Sequence, residues 1–296
     1  MKQRKSLRKD NIGYLFIAPF FIAFLIFSLY PIIYTLRLSF STWDGISDPV
    51  DAGFSNYAKV LTDGVFWTSV GNTVIMTLAA GILQLIFGIV LAYVLNQKFI
   101  KGPNVFKNIF YFPNLVTAVS LGVLFSLLFD WQSGGVNRVL MSLGLVDSPV
   151  NWMASSFFSK ALIIFILWFQ YFGYYIIIFT AGIKGISNDL LEAAQIDGAG
   201  QWKIFTRIVL PLLTPVITYA SITIIIGGMQ IFDIPYVIGK TTGEPGNATL
   251  SAVNYLYNTS FKNYNYGYGA AMSYILFILI IVFSVLYMRR NMKEEY

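Results

Sequence analysis

The residues of this chain that are able to do chemistry are few and of one kind. None of the 296 residues is a cysteine or a histidine, which excludes disulfides, thiolate nucleophiles, histidine general bases and histidine–metal sites together. What remains inside the apolar stretches is a small set of amides, phenols and an acid. "LWFQYFGYY" runs from Leu167 to Tyr175 and "GGMQIFD" from Gly227 to Asp233. On a helix Gln170 and Tyr174 are one turn apart and share a face, and Gln230 and Asp233 are close neighbours. Amides set among aromatic rings suit two tasks. They can aim a few hydrogen bonds at a polar solute in a pocket, or they can tie helices together while the tyrosines form an interfacial belt. No nucleophile sits beside a base and no group has metal-ligand spacing. The expectation is a chain without catalytic residue, metal or cofactor.

A phosphate-binding reading also fails. "IGKTTGEPG" contains Gly239, Lys240 and Thr241, but the first glycine of a phosphate loop would fall at 234, which is Ile234. No buried strand precedes it. A flexible turn is the better reading.

The elements that position these groups follow from composition. Hydrophobic residues make up 56% of the chain, aromatic residues 17% and charged residues 11%, with a mean hydropathy of +0.66. Soluble domains carry about a quarter charged residues, so a membrane protein is expected. The net charge of +6 sits beside apolar runs and points to membrane orientation rather than to nucleic acid.

Six stretches supply the roughly 20 apolar residues that a spanning helix needs: 13–36, 70–95, 109–129, 161–183, 212–234 and 267–288. None alternates as a membrane strand would. The first, after the basic "MKQRKSLRKD", is too long for a signal-peptide core and lacks a cleavage site, so it is read as a retained span. With the N-terminus inside, 14 of the 20 Lys and Arg residues fall on the inner side, which places both termini in the cytoplasm. The organisation expected is a basic segment 1–12, one six-helix membrane domain 13–288 and a tail 289–296. Short surface helices are expected in the outer loops, as at "FSNYAKVLTD". The span interiors carry no ionisable group that would serve as an ion relay. The energy source is therefore expected outside the chain.

"LEAAQIDGAGQWKIFTRIVLP", Leu191 to Pro211, is a polar interruption between the fourth and fifth stretches. Ser187 is placed as an N-cap and Asp189 suits the helix dipole. Gly198 and Gly200 bracket Ala199 and allow a sharp turn. A second amphipathic helix, "QWKIFTRI", leads to Pro211, where a missing N–H is tolerated. Such a helix–turn–helix on the inner face can rest on lipid headgroups, pack on the bundle or fit a groove in a partner.

Glu192, Ala193, Ala194, Gly198, Ile208, Leu210 and Pro211 fill every fixed position of E-A-A, three residues, G, nine residues, I-x-L-P. That pattern resembles the EAA signature of bacterial ABC-importer permeases. "YLFIAPFFIAFLIFSLYPIIYTLRLSF", "GFSNYAKVLTDGVFWTSVGNT" and "TTGEPGNAT" extend the resemblance along most of the chain to the carbohydrate-uptake class, and within it to the "F"-type half of maltose permeases. The family's T-x-G-G-P is altered here, with Glu244 in place of the second glycine.

The resemblance implies an all-α permease fold, a bacterial cytoplasmic membrane location and ATP-driven import of a sugar, most plausibly an oligosaccharide. Within it, the loop 184–211 is a coupling element, with Glu192, Ala193, Ala194, Asp197 and Gly198 at the ATPase contact. Gln170, Tyr171, Tyr174 and Gln230 line the sugar pathway, with Asp233 at its outer edge. The implied partners are a second, homologous permease, two ATP-binding cassette subunits, an extracytoplasmic sugar-binding protein and lipid, with no nucleic acid. The alternatives are a permease for glycerol phosphate or a polyol, and an ion-coupled carrier. A phosphorylated cargo would ask for basic residues in the spans, which offer none.

Overall fold

The computed structural model describes residues 7–291. Lys2, Arg4, Lys5 and Lys293, all in the inner basic group, lie outside the described residues, as do positions 1–6 of the basic segment and 292–296 of the tail. Among the described residues the regular structure is helical apart from one two-stranded antiparallel ladder, and the chain divides into two compact units.

The first unit contains the chain up to Asp63 together with Leu256–Ile275. Helix α1 (Leu7–Phe24) passes through a π-turn at Leu25–Leu29 into α2 (Tyr30–Ser39). A proline ring collides with the carbonyl four residues earlier, and a wider turn relieves that collision. Pro31 supplies the ring here. The side chains of this helix are mostly exposed, Phe16 at 82% and Phe27 at 78%, as expected of a surface that faces lipid. Strands β1 (Ser41–Thr42) and β2 (Val50–Asp51) and helix α3 (Ser55–Thr62) follow. The expected "FSNYAKVLTD" helix is α3. Buried Asn56 closes the end of α2, its Nδ2 donating to the carbonyls of Ser39 at 3.0 Å and Ser41 at 2.9 Å.

The second unit contains Gly64–Tyr255 and the chain from Leu276 onward. Its frame is α4 (Gly64–Leu95) packed along α8 (Ser156–Lys184). Around them lie α5 (Pro103–Leu115), α6 (Ala118–Leu128), α7 (Gly135–Ser142), α9 (Asn188–Ile196), α10 (Gln201–Ile204), α11 (Leu210–Leu212), α12 (Thr214–Gly228) and α13 (Asp233–Gly239). Helices α14 (Ala252–Tyr257) and α15 (Tyr266–Asn291) complete the chain. One core cluster centres on Ala92, Ile176, Phe179, Val209 and Ala220. A second surrounds Met76, Ile163, Ile166 and Ile234. Gly173 is required where α5 meets α8, because a Cβ there would lie 1.9 Å from the Phe110 carbonyl oxygen.

Among the described residues, four helices are long and apolar enough to cross a membrane: Phe16–Ser39, Gly64–Leu95, Ser156–Lys184 and Tyr266–Arg290. The third and fifth apolar stretches are not straight helices. Pro103–Leu115 meets Ala118–Leu128 at 91°, and Gln201–Leu212 meets Thr214–Gly228 at 66°. The count is thus four, or up to six if each bent pair is one span. The 91° bend has a local cause. Val116 and Thr117 take extended backbone angles, with ψ of 137° and 144°. The Thr117 hydroxyl then starts α6 by accepting the Ser120 N–H at 3.2 Å.

Candidate functional site

The motif segment Asn188–Ile196 forms α9 and has no buried residue. Asp189 lies in its first turn, and Ser187 takes the N-cap position without bonding the helix through its side chain. Leu191 and Ala194 rest against the core, whereas Glu192, Ala193 and Asp197 are exposed. Ile196 is 85% exposed and Trp202, just beyond the turn, 75%.

The helix ends in a Schellman turn. The Ala199 N–H donates to the Ala194 carbonyl at 2.9 Å and the Gly198 N–H to that of Gln195 at 3.0 Å. This closure places Gly198 at φ +78°, a left-handed conformation that side chains with a Cβ resist. Nothing lies within 4 Å of a Cβ built there, so the backbone angle, not crowding, demands the glycine. A single exposed ion pair, Lys98–Glu192 at 3.6 Å, touches the segment.

Past α10 the chain makes a second π-turn, Phe205–Val209, with Pro211 two residues beyond it. The pattern repeats the one before Pro31. Ile204, Phe205 and Val209 are buried while Lys203 and Arg207 face outward. The second amphipathic helix therefore anchors α9 from behind.

A cavity of about 240 Å³ lies between α4, α8, α12 and α13. Gln170, Tyr171, Gln230 and Asp233 line it, so four of the five pathway residues expected from sequence converge there. Tyr174 is not among the lining residues. It packs edge-on against Tyr175, with ring centroids 5.2 Å apart.

Gln170 has two faces. Its Nε2 donates to the Val116 carbonyl at 3.2 Å, holding the oxygen released by the α5–α6 bend, while its buried Oε1 has no hydrogen-bond partner. Gln230 is exposed, in the turn after α12, and donates to the Ile226 carbonyl of that helix at 3.0 Å. Gly228 packs where a Cβ would lie 2.2 Å from Thr77, whereas Gly227 is open.

Thr77, Gln84, Tyr175 and Thr223 also line the cavity and were not singled out from sequence. Gln84 is buried and donates to the Leu167 carbonyl at 2.9 Å. Thr77 and Gln84 are seven residues apart, two turns on one face. That spacing is the only sequence signal for them.

The start of the region after α12 lines this cavity through Gln230, Ile231, Asp233, Ile234 and Pro235. Ile234 and Ile238 of α13 insert into the second core cluster. Asn72 Nδ2 donates to the carbonyls of Asn247 at 2.7 Å and Leu250 at 3.2 Å, and Lys160 donates to Asn72 Oδ1 at 2.9 Å. Ser251 Oγ donates to the Ile231 carbonyl at 2.8 Å, and Thr73 Oγ1 accepts the Ala252 N–H at 2.9 Å.

Residues 84–293 match the family described as "Binding-protein-dependent transport system inner membrane component". The chain is similar to the lactose transport system permease protein LacF of Rhizobium radiobacter, with 33% identity over 96% of this chain and 95% of that one. It is similar to the arabinooligosaccharides transport system permease protein AraP of Bacillus subtilis, with 36% identity over 94% and 88%. It also resembles the trehalose/maltose transport system permease protein MalF of Thermococcus litoralis, with 34% identity over 98% and 96%. Among solved structures, a bacterial ABC transporter that imports the acidic polysaccharide alginate superposes with a TM-score of 0.82 at 20% identity, covering 98% of both chains. The alginate transporter bound to a pentasaccharide-loaded periplasmic protein gives 0.83 at 22%, covering 97% and 96%. The chain belongs to the binding-protein-dependent transport system inner membrane component family, as a multi-pass inner-membrane transport subunit with the ABC-importer permease fold.

Proposed function

We propose that this chain is one permease half of an ATP-driven ABC importer that moves a sugar, most naturally an oligosaccharide, inward. The sugar permeases among its relatives support the cargo class. The domain 13–288 makes six crossings, counting each bent pair as one, and both termini face the cytoplasm. A second homologous permease completes the pathway. Two ATP-binding cassette subunits dock on the loop 184–211, and an extracytoplasmic binding protein delivers the cargo.

The observation that carries this reading is α9: a helix of nine residues, none of them buried, held out on a Schellman turn. Glu192, Ala193, Ala194, Asp197 and Gly198 form the docking contact in this reading, the alanines allowing close approach. Closure of the ATPases on nucleotide draws these segments together and rearranges the bundle, a shift between two states set by differential contacts. Gln170, Tyr171, Gln230 and Asp233 form this subunit's side of the pathway in this reading, with Tyr174 beside them outside the cavity lining. Glu192→Lys tests the assignment: it should abolish cargo-stimulated ATP hydrolysis in the reconstituted complex while the bundle remains folded. Wild-type hydrolysis in that variant would remove the docking role.

A further inference from the structure

We propose that Asp233 makes this chain's side of the pathway select uncharged saccharides over uronate-bearing ones. The inference rests on the sugar-permease reading above. It comes from what the cavity offers a ligand. Three glutamines line it, and each amide nitrogen is already bonded to a backbone carbonyl: Gln84 to Leu167, Gln170 to Val116 and Gln230 to Ile226. Those carbonyls fix the orientation of the amides, because a flipped amide would set oxygen against oxygen.

Each amide nitrogen keeps a second N–H and the lining hydroxyls can donate or accept, but the amide oxygens only accept. Gln170 Oε1 and Thr77 Oγ1 have no partner, and their residues are 5% and 4% exposed. An unpaired amide oxygen asks for a donor, and a sugar hydroxyl provides one. A carboxylate only accepts.

Charge adds to this bias. The lining contains one carboxylate, Asp233, and no lysine or arginine. Lys240 pairs with Glu244 at 3.0 Å and Lys160 donates to Asn72 at 2.9 Å, and neither lines the cavity. A uronate entering the cavity would therefore meet a like charge at Asp233, with no cation in the lining to offset it. The alginate importer of the same fold handles an acidic polysaccharide, so the fold itself does not decide cargo charge. The lining does.

The test measures equilibrium binding to the assembled permease–ATPase complex in lipid nanodiscs without binding protein, so that only the membrane site selects. The probes are neutral glucose, galactose and mannose trisaccharides and their uronate counterparts. The wild type should prefer the neutral member of its best pair by about tenfold or more. Asp233→Asn should shrink that ratio severalfold, and Gln230→Asp, which adds a second carboxylate, should widen it. Equal binding by the wild type, or a ratio unmoved by both variants, overturns the proposal while leaving the sugar reading intact. Binding of no saccharide of either charge would overturn the sugar reading and this inference with it.

Discussion

The segment between α8 and α10 and the region that follows α12 are both polar interruptions between apolar helices, built in opposite ways. In the second, Thr249, Ser251, Ala252 and Asn254 are fully buried, and the carbonyls of Ile231, Asn247 and Leu250 are held by side chains from elsewhere in the unit. In the first, α9 has no fully buried residue: Leu191 and Ala194 rest on the core, and an exposed ion pair joins Glu192 to Lys98, in the turn after α4. Exposed ion pairs stabilise little. The difference teaches what each segment is for. A region whose buried carbonyls and Ala252 N–H are held by side chains of its own unit is finished as part of the bundle. A helix that rests on the core through two side chains and leaves Glu192, Ala193, Ile196 and Asp197 exposed is shaped for a surface that another molecule supplies.

The contrast can be broken at either end, and the largest effect is expected at Gly198. Gly198→Val forces a β-branched residue into a left-handed conformation, which costs about 1–2 kcal/mol or more and reorients the turn. Cargo-stimulated ATP hydrolysis should fall by more than about tenfold, whereas Gly198→Asn, tolerant of that conformation, should retain most of it. Melting of the bundle should change little in either variant.

The opposite pattern is expected for Asn72→Ala. It strips donors from two buried carbonyls and leaves Lys160 without its acceptor, a loss of about 1–3 kcal/mol per unpaired group. Thermal unfolding in detergent should drop by several degrees, with hydrolysis per folded complex nearly unchanged. Gln170→Ala falls between these, because it removes both the bond that holds the Val116 carbonyl and a cavity acceptor. It should lower both melting temperature and uptake, whereas Gln230→Ala, at an exposed residue bonded to the Ile226 carbonyl four residues earlier, should affect uptake alone.

The smallest effect concerns Asp44, in the loop of the first unit. Its carboxylate accepts the N–H groups of Ile46 and Ser47 at 2.9 and 2.8 Å, and these bonds hold its pKa down at about 2, well below the ordinary carboxylate range. A depressed acid stabilises the folded turn above its unfolded pKa, and that contribution disappears as pH falls through the folded value. The turn should persist at pH 4 and loosen only toward about pH 2, read from carboxyl chemical shifts. Loss of the turn near pH 4 would contradict the bonding.

Much of this was legible in the sequence, and what escaped has a physical reason. Apolar length located the stretches that contain the long helices, because composition alone satisfies a helix in lipid. It also ran together segments that the backbone separates. The α5–α6 bend depends on two extended residues and on Gln170, which is 54 residues away from Val116, a relation no local window contains. The glycine and acid of the motif were readable because a Schellman turn is a local event. In the cavity, Gln170, Tyr171, Gln230 and Asp233 stood out as polar groups among aromatic residues. Thr77 and Gln84 did not, since only the packing of α4 on α8 decides which face of a 32-residue helix looks inward. Tyr174 shares a helix with Gln170 but turns to Tyr175 instead.

The chain contains no cysteine, so a cysteine placed at Ala193 is a unique reporter on α9. Its rate of labelling by a membrane-impermeant maleimide, measured on the purified chain alone and again on the complex with its ATPase subunits, tests the account at its centre. Fast labelling alone and protection of at least about tenfold in the complex are expected for a hot, desolvated contact. Equal rates in both would mean that α9 meets no partner, and the docking account would be wrong.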